Sequence, residues 1–232
     1  MANGRQSTIL DQPLPGFLAA GRGGLTEEPL TARQAFSDLC RKAGSRLAPC
    51  TLGNWKPWGT PEEQERQKQV LDAAKEFAAQ IGLHIADGRN LVLIGSVGTG
   101  KDHLTMGLLR FALQAGCTSL DWTTGVRFFG SYRDGITRQT PEEETTNGWC
   151  RAKILVISEL LAANETLPDW QLSQLWSVLD QRYRNRMPTW LSINVETRKD
   201  AVAKIGEKIL SRLEDPGLVL RFFWSDHRKR AK

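Results

Sequence analysis

From residue 90 onward, short apolar runs alternate with longer segments whose apolar residues recur at helical spacing. The runs at residues 91–94 (LVLI), 117–122, 154–157 (ILVI), 190–194 and 218–224 are four to seven residues long and read as strands. The segments at 101–115, 126–138, 170–186 and 199–214 read as helices. Leu172, Leu175, Trp176 and Leu179 line one face of the third, and Gly116 closes the first. Buried strands separated by helices predict an α/β fold, a parallel sheet covered on both faces. Upstream, Thr60, Pro61 and Glu63 predict a helix start with a hydroxyl N-cap, a proline at the first position and a capping-box glutamate. Val70, Ala73, Ala74, Phe77 and Ile81 follow on one face.

Residues 43–59 contain Pro49, Gly53, Pro57 and two tryptophans, the pattern of an ordered loop. A short amphipathic segment with Phe36, Leu39 and Cys40 precedes it, and residues 1–30 are rich in Gly, Pro and small polar residues without a period. This divides the chain into an N-terminal segment, 1–42, expected to be mobile and open to a partner, and a core, 43–232.

Composition narrows the class. The chain has 232 residues, 40% apolar and 25% charged, as a packed globular protein does. The apolar runs are too short to span a bilayer, and Pro13 and Pro15 break any secretory signal. Cys40, Cys50, Cys117 and Cys150 lack CxxC spacing and have three histidines for company, which argues against a zinc framework and for reduced thiols in a cytoplasmic protein. The net charge of +5 is concentrated at the C-terminus. There Arg228, Lys229 and Arg230 follow Trp224, and a basic run beside a tryptophan is a candidate contact to nucleic-acid phosphates.

The sharpest chemistry lies between the first strand and its helix. Gly95, Ser96, Val97, Gly98, Thr99, Gly100 and Lys101 spell G-x-x-x-x-G-K in the strand–loop–helix setting of a Walker A loop. The glycines turn backbone N–H groups inward around a polyphosphate, the helix N-terminus adds positive potential, and Lys101 reaches the β and γ phosphates. The next residue departs from the pattern. Where Ser or Thr would ligate Mg²⁺, the chain has Asp102, followed by His103.

GSVGTGKDHL resembles the GxxGTGKTHL loop of the DnaC/IstB family, AAA+ ATPases that load replicative helicases or assist transposases. The rest of the chain from about Ser45 agrees in order. Residues 47–55 (LAPCTLGNW) resemble the segment that lies near the base, 154–160 (ILVISEL) the Walker B strand, and 188–194 (PTWLSIN) the sensor-1 strand. Residues 206–213 (GEKILSRL) resemble the box VII helix with its arginine finger, and 218–230 the final strand and basic tail of the loaders. The resemblance implies a P-loop NTPase fold of the AAA+/ASCE type that binds ATP with Mg²⁺. Its ATPase is expected to be weak or partner-stimulated, with Lys101, Glu159, Asn194 and Arg212 as catalytic residues. Glu159 would orient water, Asn194 would hold that water or the γ-phosphate, and Arg212 would reach the nucleotide of a neighbouring copy. Arg182, Arg184 and Arg186 are alternatives for that last role.

The Walker B position departs too. The metal-supporting aspartate is replaced by Ser158, while Glu159 remains. Either both positions have lost function, or carboxylate and hydroxyl have exchanged places between 102 and 158. A carboxylate beside phosphates without a cation is repelled by several kcal/mol in a partly dry site. The retained Lys101, Glu159 and Asn194 favour exchange, with Asp102 and Ser158 as the metal ligands.

Between the second and third strands, Arg127, Arg133 and Arg138 interleave with Phe128, Phe129 and Tyr132, a mixture suited to single-stranded DNA. Arg127, Phe128, Arg133 and Arg138 are therefore candidate nucleic-acid contacts, where the resemblance also puts the DNA-facing insertion. The expected partners are a replicative helicase, single-stranded DNA and further copies of the chain. An IstB-like helper acting with a transposase and a non-hydrolysing nucleotide-binding adaptor are the alternatives.

Overall fold

The computed structural model of the chain describes residues 31–161 and 165–231. Five parallel strands form one sheet: β1 (Asn90–Gly95), β2 (Leu120–Thr124), β3 (Ile154–Ser158), β4 (Thr189–Ile193) and β5 (Gly217–Phe222), in the order β2-β3-β4-β1-β5. β1 and β3 read as continuous apolar runs because both faces are covered, while the outer strands β2 and β5 are partly exposed and carry Asp121 and Arg221. Leu91 and Leu93 face one core with Trp190, Val156 and Phe222, while Val92 and Ile94 face the other with Leu155, Leu191 and Ile193.

The first core is closed by α1 (Ala32–Ala43), α2 (Pro61–Ala79), α3 (Ile81–Ala86) and α4 (Lys101–Gln114). The second is closed by α5 (Gly125–Arg138), α6 (Glu142–Trp149), α7 (Asp169–Arg184), α8 (Arg198–Ile205) and α9 (Glu207–Glu214). The capping box at Thr60 and Glu63 forms as its sequence predicts.

Several boundaries differ from the expectation. The described part of the segment 1–42 packs on the sheet. Residues 1–30 lie outside the described residues, but α1 is capped by Thr31 and Gln34, buries Leu39 and joins Lys42 to Asp121 of β2 at 2.7 Å. Arg110 of α4 lies over Phe36. Among the described residues, α1 is therefore part of the packed core. β2 starts three residues late, because Cys117–Ser119 serve the turn that leaves α4, where the Cys117 amide donates to Ala112. The helix expected over 199–214 breaks at Gly206, whose φ of 79° ends α8. Arg198 then braces the break by pairing with both Glu207 and Glu214 of α9. α6 has no apolar period. It is held by Trp149 against Phe128 and by the Tyr132 hydroxyl at Thr146.

Arg182, fully buried on α7, ties this half together. Its guanidinium donates to the carbonyls of Trp149, Ala152, Lys153 and Pro188 and to the Thr189 hydroxyl, at 2.7–3.1 Å. It is a structural clasp for the ends of β3 and β4, which removes it as an arginine for a neighbouring copy. Arg182→Met keeps much of the volume but orphans several buried acceptors. It should cost more than about 3 kcal/mol in urea unfolding; a loss below about 1 kcal/mol contradicts this role.

Candidate nucleotide site

β1 runs into the loop at Gly95, and α4 starts at Lys101 with Gly100 as its left-handed N-cap (φ 93°). The first turn of α4 thus offers free N–H groups and the positive end of its dipole. The Lys101 ammonium is buried and donates to the carbonyls of Gly95 at 2.8 Å and Ser96 at 2.7 Å. Burial pulls it down to about 8, partly offset by Asp102 and Glu159. Thr99 donates its hydroxyl to Ser96 and fixes the loop's own turn.

β5 pairs with β1 in parallel, so the residues after β5 arrive at the same end of the sheet as the loop. The Trp224 indole donates to the Thr99 carbonyl and the His227 amide to the Gly98 carbonyl, each at 3.0 Å. A Cβ on Gly95 would run into Phe222, and one on Gly98 into the Asp226 carboxylate. Both glycines are demanded by close packing as well as by the loop's backbone.

The two departures from the Walker pattern meet. Ser158 Oγ, at the end of β3, donates to Asp102 Oδ1 at 2.7 Å. Burial pushes the Asp102 carboxyl up, the Ser158 hydrogen bond pulls it back, Glu159 adds to the rise and Lys101 opposes it. Glu159 sits in the left-handed region (φ 47°), held by its amide bond to Ser192 Oγ at 2.8 Å. That conformation turns it off the strand onto the rim of the cleft. β4 lies between β1 and β3, so Asn194, just past its end, arrives between the loop and Glu159. Its Oδ1 is buried without a hydrogen-bond partner among the described residues.

Lys101, Asp102 and Glu159 line an open cleft of about 580 Å³, within the range of small-molecule sites. Its other wall comes from the 43–59 loop. Trp55 and Trp58 stand 5.7 Å apart, and His103 meets Trp55 edge-on while bonding Thr51 and Asn54. Arg46, Lys56 and Arg228 bring further positive charge to the cleft. Sequence patterning missed Asp226 as part of the site, because its partner Gly98 is remote in the chain.

Two sets of candidate residues lie elsewhere. Arg212 is on α9, and its carbonyl accepts from Asn90 at the start of β1, the opposite end of the strand from the loop. Its guanidinium rests 4.4 Å from the Tyr183 ring centroid and 3.6 Å from Asp180. Arg127, Arg133 and Arg138 are exposed on α5. Phe128 on the same helix is not available as a DNA contact. It is fully buried between Phe129, Tyr132 and Trp149, because aromatic spacing on this helix serves the core. Lys229 is exposed, and the Arg230 side chain lies outside the described residues.

No protein-family model matches the chain. Among curated proteins, the phage-like element PBSX protein XkdC of Bacillus subtilis (strain 168) is 26% identical over 164 residues, covering 68% of this chain and 59% of that protein. The chain thus spans about three-fifths of that relative. The solved structure of the DnaC helicase loader superposes with a TM-score of 0.64 at 19% identity, covering 77% of this chain and 99% of that one. The replication initiator DnaA bound to AMPPCP and single-stranded DNA gives 0.58 at 16%, covering 76% and 50%. The chain shares the α/β fold of that DnaC structure, a parallel sheet covered by helices on both faces. No helix among the described residues is long and apolar enough to cross a membrane.

The buried lysine has a consequence for stability. An unfolded chain keeps Lys101 protonated up to about 10.5, whereas the folded protein releases that proton near 8. Between those values the unfolded state binds the extra proton, so this residue makes stability rise with pH. Lys101→Met should remove that rise. In urea unfolding at about pH 7.5 and about pH 9.5, wild type should gain on the variant at the higher pH; a difference independent of pH contradicts the burial account.

Proposed function

We propose that this chain is an ATP-binding AAA+ protein of DNA replication, a DnaC-like helicase loader that binds ATP and single-stranded DNA and hydrolyses ATP. The observation that carries the reading is the 2.7 Å bond between Ser158 and Asp102. Two substitutions far apart in sequence, each the other's missing chemistry, meet beside the P-loop lysine.

The donor set fits the expected cation. A carboxylate and a hydroxyl both offer the oxygen that Mg²⁺ takes, and a half-buried Asp102 whose proton affinity is raised by burial gains from a countercharge. Bound between them, Mg²⁺ would neutralise charge on the β and γ phosphates. Lys101 would trade its carbonyl partners for phosphate oxygens, which match an ammonium better. Glu159, on the rim, orients the attacking water, and the unpartnered Asn194 oxygen is free to accept a hydrogen bond from it. The tryptophan wall faces the base.

Arg212 cannot serve its own nucleotide from the far end of β1, which suits a finger donated to a neighbouring copy. Single-stranded DNA would lie along Arg127, Arg133 and Arg138, with phosphates rather than stacked bases as the main contacts. The likeness to a DnaC helicase loader supports a replicative helicase as partner, and the likeness to a phage-like element protein supports a mobile element's own replication. The transposase helper remains the alternative that a helicase pull-down separates.

A double-mutant cycle of Mg²⁺-dependent ATPase rates tests the exchange. Asp102→Thr leaves two hydroxyls and should lower turnover about tenfold or more. Ser158→Asp leaves two carboxylates and should weaken nucleotide binding unless Mg²⁺ is raised. The double variant restores the ordinary pair and should recover activity, with a coupling of about 0.5–3 kcal/mol. Additive effects, or wild-type protein inert with DNA and helicase present, favour the non-hydrolysing adaptor. Arg212→Ala should keep ATP affinity while losing up to about a thousandfold in turnover. Mixing it with Lys101→Ala subunits should restore part of that rate, because each lacks a different half of the shared site. No restoration at any ratio contradicts a shared site.

A further inference from the structure

We infer that Ser192, a buried hydroxyl in the middle of the sheet, is a positioning residue for the reaction, setting the direction in which Glu159 points. This rests on the reading of Glu159 as the group that orients the attacking water. In sequence, Ser192 is one small polar residue inside the run at 190–194. The fold gives it a partner.

β4 lies between β1 and β3, and Ser192 stands opposite Leu93 of β1. A buried hydroxyl among apolar neighbours is costly unless it is hydrogen-bonded. Its bond is made on the other side, where the register of β3 against β4 ends at Ile157 and Leu191. Beyond that pair β3 leaves the sheet, and Ser192 holds the next turn of chain twice. Its Oγ accepts from the Glu159 amide at 2.8 Å, and its carbonyl accepts from the Leu160 amide at 3.0 Å. Gly125, the first residue of α5, closes the turn from the β2 side, where any Cβ would collide with the Leu160 carbonyl. The chain thus leaves β3 through a slot with Ser192 on one wall and Gly125 on the other.

The backbone shows what the slot achieves. Side chains of an extended strand alternate between faces. Ile154 and Val156 face the core that α4 covers, and Ser158 reaches Asp102 of α4 on the same side. An extended residue 159 would therefore face the other core, with Leu155 and Ile157. Glu159 instead has a φ of 47°, a conformation that a residue other than glycine keeps only where its surroundings enforce it. The turn brings its carboxylate to the cleft lined by Lys101, near enough to favour the charged form of that ammonium. The Ser192 hydroxyl bonds the amide of Glu159, so it fixes direction without occupying the group that does the chemistry.

The test uses the full chain, with ATP turnover, calorimetric ATP affinity and amide hydrogen exchange as readouts. Ser192→Ala should lower kcat about tenfold or more, because a small misplacement of an aimed group costs rate. ATP affinity should stay within about twofold of wild type, since the lost bond serves the chemical step. Ser192→Thr keeps the acceptor in a residue suited to strands and should recover most of the rate. Ser192→Cys conserves volume but accepts weakly, so it should behave like the alanine variant. In a Glu159→Gln background, Ser192→Ala should cost nothing more, because its effect runs through Glu159. In ligand-free Ser192→Ala, the Glu159 amide should exchange about tenfold faster or more, while the Leu160 amide, bonded to the backbone of residue 192, keeps its protection. The inference is overturned if Ser192→Ala turns over within about twofold of wild type, or if ATP affinity falls in step with the rate. It is equally overturned if cysteine serves as well as threonine, if the full loss reappears beside Glu159→Gln, or if the Glu159 amide stays protected. Wild type that never hydrolyses ATP, even with DNA and helicase present, refutes the parent reading as well. An active wild type that loses its turnover with Glu159→Gln, beside an unaffected Ser192→Ala, refutes this inference alone.

Discussion

The loop at residues 95–101 is built against the far end of the chain, and the geometry of the cleft depends on that contact. Phe222 and Asp226 leave no room for a side chain at Gly95 or Gly98, and Trp224 and His227 take up the carbonyls of Thr99 and Gly98. With those carbonyls paired, the loop's N–H groups are left to serve a phosphate. The loop therefore has its shape only once β5 has docked beside β1. The same docking carries Arg228 to the cleft.

On this frame the sheet order does the rest. β4 is inserted between β1 and β3, so the ends of three strands bring Lys101, Asn194 and the Ser158–Glu159 pair to one edge, where ligands of open parallel sheets sit. The proposed exchange of carboxylate and hydroxyl would move the negative charge from the strand end to the first turn of α4. There it meets the positive helix terminus and the Lys101 ammonium. Burial still raises the Asp102 carboxyl on balance, with the Ser158 hydrogen bond and Lys101 offsetting only part of it, and it competes with phosphates for the same positive groups. A cation resolves that competition, which is why the proposed mechanism needs both groups on one ion.

β1 and β3 were legible because burial on both faces leaves no polar residue inside the runs 91–94 and 154–157, and the P-loop because phosphate chemistry imposes a strict pattern on adjacent residues. What escaped depends on contacts between distant residues. α6 has no apolar period and is a helix because Trp149 and Thr146 find partners on α5. Phe128 has the spacing of a binding face and of a core face alike, and only the packing of α6 over it decides between them. Arg182 reads in sequence as one of three alternative arginines for a neighbouring copy, yet the carbonyls at two strand ends take its donors. Asp102 and Ser158 were each visible as departures from a pattern; that they touch is a property of the sheet.

The claim on which the account turns is that Asp102 and Ser158 act on one cation. A crystal structure of the complex with Mg²⁺ and a non-hydrolysable ATP analogue tests it most directly. The account predicts an Asp102 carboxylate oxygen about 2.1 Å from the ion, within its first coordination shell, with Ser158 bound to the ion or to one of its waters. An ion held by phosphates and water alone, with Asp102 turned away and still bonded only to Ser158, would contradict it.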